Sequence, residues 1–239
     1  MMADVSALCE ALNGMRLIDL SQPLEEHMPH YPTHSKFCHP LWSSYQFGDR
    51  SLTYQLLMNE HNGTHVDAPA HFMSEAHPDA HVTIDRVPLR QLIGRGVRLD
   101  CRRFREGESV PAGLVKEWER SHVPIERGDI ALFNFGWDER WAIRPQEKRY
   151  VTDWPGVAMD AAEYLLEKEI AAIGVDTLSP DPPDALRSGP IHPLVLGKRV
   201  LIIENLCCLD ELPDTFFFAA LPLKIRAGSG SPVRAVAFC

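Results

Sequence analysis

His61, His65, Asp67 and His71 fall within eleven residues, at spacings of 4, 2 and 4. On a helix His61 and His65 would share a face, but Gly63 and Pro69 interrupt any continuous helix here. In extended chain, residues i and i+2 project to the same side, so His65 and Asp67 converge. A turn at Asn62-Gly63 can swing His61 back beside them. Neutral imidazoles with a carboxylate form a ligand set suited to Zn²⁺, Mn²⁺ or Fe²⁺. One histidine in such a segment would be an ordinary surface or core residue. Four ligand-type side chains among Gly, Thr and Pro, with no Lys or Arg to balance them, point instead to a metal site.

Two residues far along the chain have the same chemistry. His192 stands before Pro193 at the end of a proline-rich loop, and Glu204 ends the most apolar strand pattern in the chain. A buried carboxylate at that position is costly unless a partner offsets its charge. A cation would do so, and so would a salt bridge to Lys198 or Arg199. The other histidines (His27, His30, His34, His39, His77, His81 and His122) read as mostly solvated.

The elements that must position these groups follow from hydrophobic period and turn signals. Residues 1–15 carry a short helical pattern ending at Gly14, and Arg16 to Ser21 alternates as a strand. Residues 22–50, rich in Pro and His, read as a long loop, and Leu52 to Met58 reads as a strand feeding the His61 segment. Val97 to Cys101 and Asp129 to Phe135 are strand patterns, with a helix between them from Pro111 to Trp118. Asp160 to Glu163 has the form of a capping box opening a helix that stops near Lys168. Ile170 to Asp176 is a strand, followed by the loop to Pro193, the strand Arg199 to Glu204, and one or two strands between Phe216 and Phe238. The sum is one α+β domain over 1–239, with more strand than helix and no repeat or linker.

Composition narrows the function classes. The 239 residues are 45% apolar and 24% charged, as in an ordinary folded domain. A chain of this size can bury roughly 70–75% of its unfolded surface without disulfides. The net charge of −9 argues against a nucleic-acid footprint, which needs clustered positive charge. No apolar run approaches the ~18 residues of a membrane span. The first ten residues include Asp4 and Glu10 and lack a basic start before an apolar block, so no secretory signal is expected. Six scattered cysteines without a C-x-x-C pair fit free thiols in a reducing cytoplasm. The 19 prolines, against about 12 for average usage, disfavour a helical bundle.

The sequence resembles the metal-dependent hydrolases of the cyclase family, which includes bacterial kynurenine formamidases and isatin hydrolases. The resemblance is carried by Leu17 to Leu24, by the string from His61 to Phe72, by Ile173 to Thr177, by His192 to Leu206, and by Ala220 to Ile225 with Gly230 to Ala235. It implies that His61, His65 and Asp67 form a first ligand triplet, with Asp67 able to bridge two metals. It implies that His192 and Glu204 are later ligands and that His71 is an acid/base histidine. Tyr31 falls where formamidases carry a tryptophan against the aromatic ring of the substrate. Around it the usual Trp-Pro-Gly-Asp is replaced by Tyr31-Pro32-Thr33-His34, a departure that bears on substrate choice. The resemblance further implies mixed β-sheets with a barrel-like core and flanking helices (the swivelling β/β/α type), and a homodimer whose partner loop helps close the pocket.

The expected chemistry is hydrolysis of an amide C–N bond in a small aromatic substrate. One or two Zn²⁺ ions, with Mn²⁺ as the alternative, lower the pKa of water from 15.7 toward roughly 7 and polarise the carbonyl. His71, with a reference pKa near 6.5, would shuttle the proton to the departing amine. N-formylkynurenine is the expected substrate type, with isatin-like lactams and other ring-opening substrates as the alternative. Pocket walls are expected from 27–50 and 178–191. Three rivals differ in class. A serine hydrolase would need a G-x-S-x-G elbow, which Gly228-Ser-Gly-Ser-Pro232 does not supply. A non-haem iron oxygenase would use His61, His65 and Asp67 as a facial triad and leave His192 and Glu204 without a role. A non-catalytic metal-binding protein would keep the ligands without turnover.

Overall fold

The computed structural model describes residues 4–184 and 190–239. Its framework is one eight-stranded mixed sheet built from β1 (Leu17–Asp19), β4 (His65–Asp67), β5 (Ile93–Asp100), β7 (Ile130–Asn134), β9 (Ala172–Val175), β10 (Leu201–Glu204), β11 (Thr215–Pro222) and β12 (Gly230–Phe238). The strand order is β1-β12-β11-β5-β7-β9-β10-β4, and β12 also pairs with β4, so seven of the strands close into a ring. The neighbours β5, β7, β9 and β10 run parallel, and the other pairings are antiparallel. Two small ribbons, β2 (Leu41–Ser43) with β3 (Thr53–Tyr54) and β6 (Ser109–Val110) with β8 (Gly156–Val157), complete the strands.

Side-chain alternation divides the core in two. Along β7, Ala131 and Phe133 join Trp118 of α2 (Ala112–Ser121), Leu165 of α3 (Met159–Glu167) and Val195 of α4 (Ile191–Leu196) in one cluster. Ile130 and Leu132, one residue out of phase, join Val66, Ile203, Phe218 and Ala235 inside the ring. The parallel strands β7, β9 and β10 are buried along their whole length, as strands covered on both faces must be. Mixed sheets with a barrel-like core and flanking helices are therefore present as expected.

The alternation also fixes where the candidate ligands point. Val66 and Ile203 enter the ring, so His65, Asp67 and Glu204 face the opposite side. The antiparallel register sets His65 directly opposite Glu204 and Asp67 opposite Ile202. Directly opposed residues lie about 4.5–5.5 Å apart at Cβ, close enough for both to reach one ion.

Several elements differ from the sequence expectation. The first helix is α1 (Val5–Asn13), with the Asp4 side chain accepting from the Ser6 and Ala7 amides, and residues 1–3 lie outside the described residues. The expected loop 22–50 contains β2 and a 3₁₀ turn at Tyr45–Phe47. The expected strand Leu52 to Met58 shrinks to Thr53–Tyr54 and a bridge from Leu57 to Cys38, because its apolar side chains have no core to cover. Asp160 does not cap its own helix: α3 starts after Ala158 without a side-chain cap, and Asp160 Oδ2 instead accepts the Ala112 amide at 3.2 Å. The loop to Pro193 ends earlier than expected, since Ile191–Leu196 is the helix α4 with Pro193 in its first turn, where proline costs little. Of that expected loop, 185–189 lie outside the described residues.

Candidate metal centre

The Asn59–Asn62 turn and β4 bring the first three candidates together. The Asn59 amide donates to Asn62 Oδ1 at 2.8 Å, the His61 amide donates to Asn59 Oδ1 at 2.9 Å, and Gly63 follows at φ +61°. A Cβ on Gly63 would lie 2.5 Å from Leu24 Cδ2, so the reversal needs glycine on steric as well as conformational grounds. Beyond the turn His61 returns over β4, with Nδ1 at 2.7 Å from Asp67 Oδ1. His65 Nε2 lies 3.4 Å from the same oxygen.

The distant pair joins this cluster. His192 Nε2 is 3.4 Å from Asp67 Oδ2 and 3.2 Å from Glu204 Oε1, and His65 Nε2 is 3.3 Å from Glu204 Oε2. Two ligand groups, His61–His65–Asp67 and Asp67–His192–Glu204, thus share Asp67, and all five residues are buried. Neither Lys198 nor Arg199 reaches Glu204: its carboxylate meets His65 and His192, and Arg199 pairs with Asp79. Five ligand-type groups converge, where an iron facial triad would need three.

The ring nitrogens are oriented from behind. His65 Nδ1 donates to the Gly63 carbonyl at 2.9 Å, which turns Nε2 toward the two carboxylates. His192 Nδ1 donates to Asp181 Oδ2 at 2.6 Å with the same consequence. Asp181 is itself held by the Ile191 amide at 3.0 Å and the His192 amide at 3.3 Å. A carboxylate behind a ligating imidazole fixes its tautomer and raises its basicity. The Asn205 side chain donates to the same Gly63 carbonyl at 2.9 Å and is held in turn by the Tyr150 hydroxyl at 2.9 Å.

Electrostatics test whether a cation fits. Asp67 Oδ2 and Glu204 Oε1 are buried side-chain oxygens without a hydrogen-bond donor among the described residues. Burial favours the neutral form of Asp67, but His61, His192 and His65 outweigh it and hold the carboxyl well below its usual range. Burial and the Asp67 charge raise Glu204, and contacts with His192 and His65 reverse that and lower it. Burial depresses His65, yet Asp67 and Glu204 overcome it and take the ring up to about 10. His192 rises well above its ordinary value, with burial outweighed by Asp181, Asp67 and Glu204. Two anionic carboxylates with orphaned oxygens, facing imidazoles that keep protons only because those carboxylates attract them, fit a divalent cation that would displace the protons.

Above the cluster lies a cavity of about 170 Å³. His61, His65, His71, His192 and Glu204 line it, as do Tyr31, Phe72 and Leu178. His71 stacks on His61 with centroids 3.9 Å apart, and its ring makes no hydrogen bond among the described residues. Its pKa departs from the ordinary 6.5: burial first, then repulsion by His61 and His192, lowers it to about 4 against the pull of Asp67. His71 is therefore neutral at pH 7. Tyr31 is half-buried on the cavity wall, 5.2 Å from the His34 ring.

Sequence reasoning left out some of this site. His30 and His34, expected in solvent, line the cavity. His34 is half-buried, with its pKa lowered by burial and by His61, and its Nδ1 has no partner among the described residues. Asp181 had only a weak signal, a lone acid among prolines eleven residues before His192.

The chain is similar to known proteins along most of its length. The family model described as "Putative cyclase" matches residues 18–182. A kynurenine formamidase of Bacillus cereus is 31% identical over 226 residues, which cover 92% of this chain and 95% of that protein. An isatin hydrolase of Roseibium aggregatum is 31% identical over 198 residues, covering 76% of this chain and 73% of that protein. The structure of isatin hydrolase A from Ralstonia solanacearum superposes with a TM-score of 0.89 at 27% identity, covering 100% of this chain and 98% of that one.

Proposed function

The chain belongs to the family of putative cyclases, and from that premise we propose that it is a metal-dependent hydrolase that cleaves the amide C–N bond of a small aromatic substrate. The observation that carries this reading is the pair of buried oxygens, Asp67 Oδ2 and Glu204 Oε1, which have no hydrogen-bond donor among the described residues and converge with three imidazoles beneath a cavity. Buried carboxylates left this way are costly without a cation.

His61, His65, Asp67, His192 and Glu204 would hold one or two divalent ions, Zn²⁺ or Mn²⁺. A bound ion supplies Lewis acidity that makes water acidic near neutral pH and polarises the substrate carbonyl. The protein does the rest. Tyr31, Phe72 and Leu178 offer the substrate ring an apolar wall beside the cluster. His71, neutral at pH 7 and open to the cavity, takes a proton at a free ring nitrogen during attack. Its depressed pKa makes the resulting imidazolium a strong acid, suited to protonating the departing amine.

The substrate is an aryl formamide of the N-formylkynurenine type. A second reading, opening of an isatin-like lactam, is favoured by the superposition with an isatin hydrolase over the whole chain. The chain acts as a single domain over 1–239. It works as a homodimer in which a second copy covers the exposed apolar arm of β2 and β3, where Trp42 is 69% and Phe47 is 72% exposed. The cytoplasm is its compartment, in keeping with six unpaired cysteines. Among the described residues no helix is long and apolar enough to cross a membrane.

Elemental analysis of protein purified without added metal, paired with hydrolysis of N-formylkynurenine and isatin under Zn²⁺ and Mn²⁺, tests the proposal. Bound divalent metal and turnover of either amide are expected. Protein that binds no metal, or that binds it and cleaves neither substrate, would overturn it.

A further inference from the structure

Gly228-Ser229-Gly230 is no nucleophile elbow, yet it closes against the metal cluster. Ser229 Oγ lies 2.8 Å from His61 Nε2. The Ser229 hydroxyl and amide both donate to one oxygen, Glu60 Oε2, at 2.8 and 2.7 Å. A serine hydroxyl has one proton, and here it goes to Glu60. Toward His61 the Ser229 oxygen can only accept, so His61 carries its proton on Nε2. Nδ1 then turns its lone pair on Asp67 Oδ1 at 2.7 Å. A cation between them, a metal ion or a second ring proton, relieves that opposition, and this lone pair is the one a metal would take.

The glycines on either side make this contact possible. A Cβ on Gly230 would lie 2.5 Å from His61 Cε1 and 2.9 Å from His61 Nδ1. A Cβ on Gly228 would lie 2.8 Å from Glu60 Oε1. With His71 stacked on its face, the His61 ring is enclosed on several sides. Its orientation is the reverse of His65 and His192, whose Nδ1 atoms are engaged behind the cluster and whose Nε2 atoms face the carboxylates.

We propose that Glu60 and Ser229, framed by Gly228 and Gly230, are positioning residues that lock His61 in its Nε2-protonated form so that Nδ1 is its ligand atom. This rests on reading the cluster as a metal site.

The test uses the full-length protein loaded with Zn²⁺ alone. Long-range ¹⁵N–¹H correlation spectra report which nitrogen of His61 bears the proton, and chelator competition reports affinity. His61 should be protonated at Nε2. Ser229→Ala and Glu60→Ala should each lower zinc affinity about 10–100-fold, the usual effect of losing a partner behind a ligand. Glu60→Gln should stay near wild type, because one amide oxygen can accept both Ser229 donors. A zinc-loaded His61 protonated at Nδ1, or wild-type affinity in Ser229→Ala, overturns the proposal. The spectrum of the unaltered protein decides even if a variant fails to fold. Protein that takes up no zinc overturns both this proposal and the hydrolase reading. The expected spectra and affinities without amide hydrolysis would overturn the hydrolase reading alone.

Discussion

Replacing Asp181 with asparagine should weaken metal binding more than replacing it with alanine. The native carboxylate accepts the His192 ring proton at 2.6 Å and the amides of Ile191 and His192 at 3.0 and 3.3 Å. Asparagine has one oxygen for these three donors. With that oxygen on the backbone amides, its NH₂ opposes His192 Nδ1–H and drives the proton to Nε2. Nε2 is the atom that faces Asp67 and Glu204 at 3.4 and 3.2 Å, so the imidazole is then protonated where it should bind. The wrong tautomer is the known penalty of an Asp-to-Asn change behind a working histidine. The expected loss is about 10–100-fold in affinity, equivalent to about 1.4–2.8 kcal/mol. Alanine leaves the ring free to choose its tautomer and should lose less affinity, though it removes the partners of two helix-end amides. Competition against a chromophoric chelator measures both variants, with circular dichroism checking the fold. Wild-type affinity in Asp181→Asn, or an alanine variant weaker than the asparagine one, would refute the reasoning.

Three further outcomes are expected. His71→Ala should keep its metal content while turnover falls about 10²–10⁴-fold, and full activity would remove His71 from the reaction. Zinc binding at pH 8 should release protons: His65, raised to about 10, is protonated in the metal-free protein and must lose that proton to coordinate. Affinity should therefore rise with pH at least to about 10, His192 being raised as well, and calorimetry in buffers of different ionisation enthalpy that finds no release would contradict this. Phe47→Asp, on the exposed arm, should halve the mass measured by light scattering, and an unchanged dimer would place the interface elsewhere.

What could be read from the sequence was mostly what is local. His61, His65 and Asp67 are brought together by one turn and one short strand, so spacing alone reveals them. The strands β7, β9 and β10 announce themselves as continuous apolar runs, because they are covered on both faces. Asp181, Ser229 and Glu60 acquire their roles only through contacts across the fold, for which periodicity has no signal. Helix α4 is short and contains Pro193, which reads as a breaker unless its place in the first turn is known. The segment Leu52 to Met58 is apolar without being core, with Leu52, Leu56 and Leu57 exposed, so its pattern resembles a longer strand than the one that forms. The pKa of His71 depends on burial and on two neighbouring imidazoles, both consequences of tertiary structure.

The central claim is that His61, His65, Asp67, His192 and Glu204 surround a divalent cation. Anomalous diffraction at the zinc or manganese edge, from crystals of protein grown in that metal, tests it most directly. A peak is expected at ligand distance from Asp67, about 2.0–2.2 Å for a zinc–carboxylate bond, with imidazole nitrogens of the same cluster completing the shell. A cluster without a peak, with metal elsewhere on the chain or none at all, would contradict it.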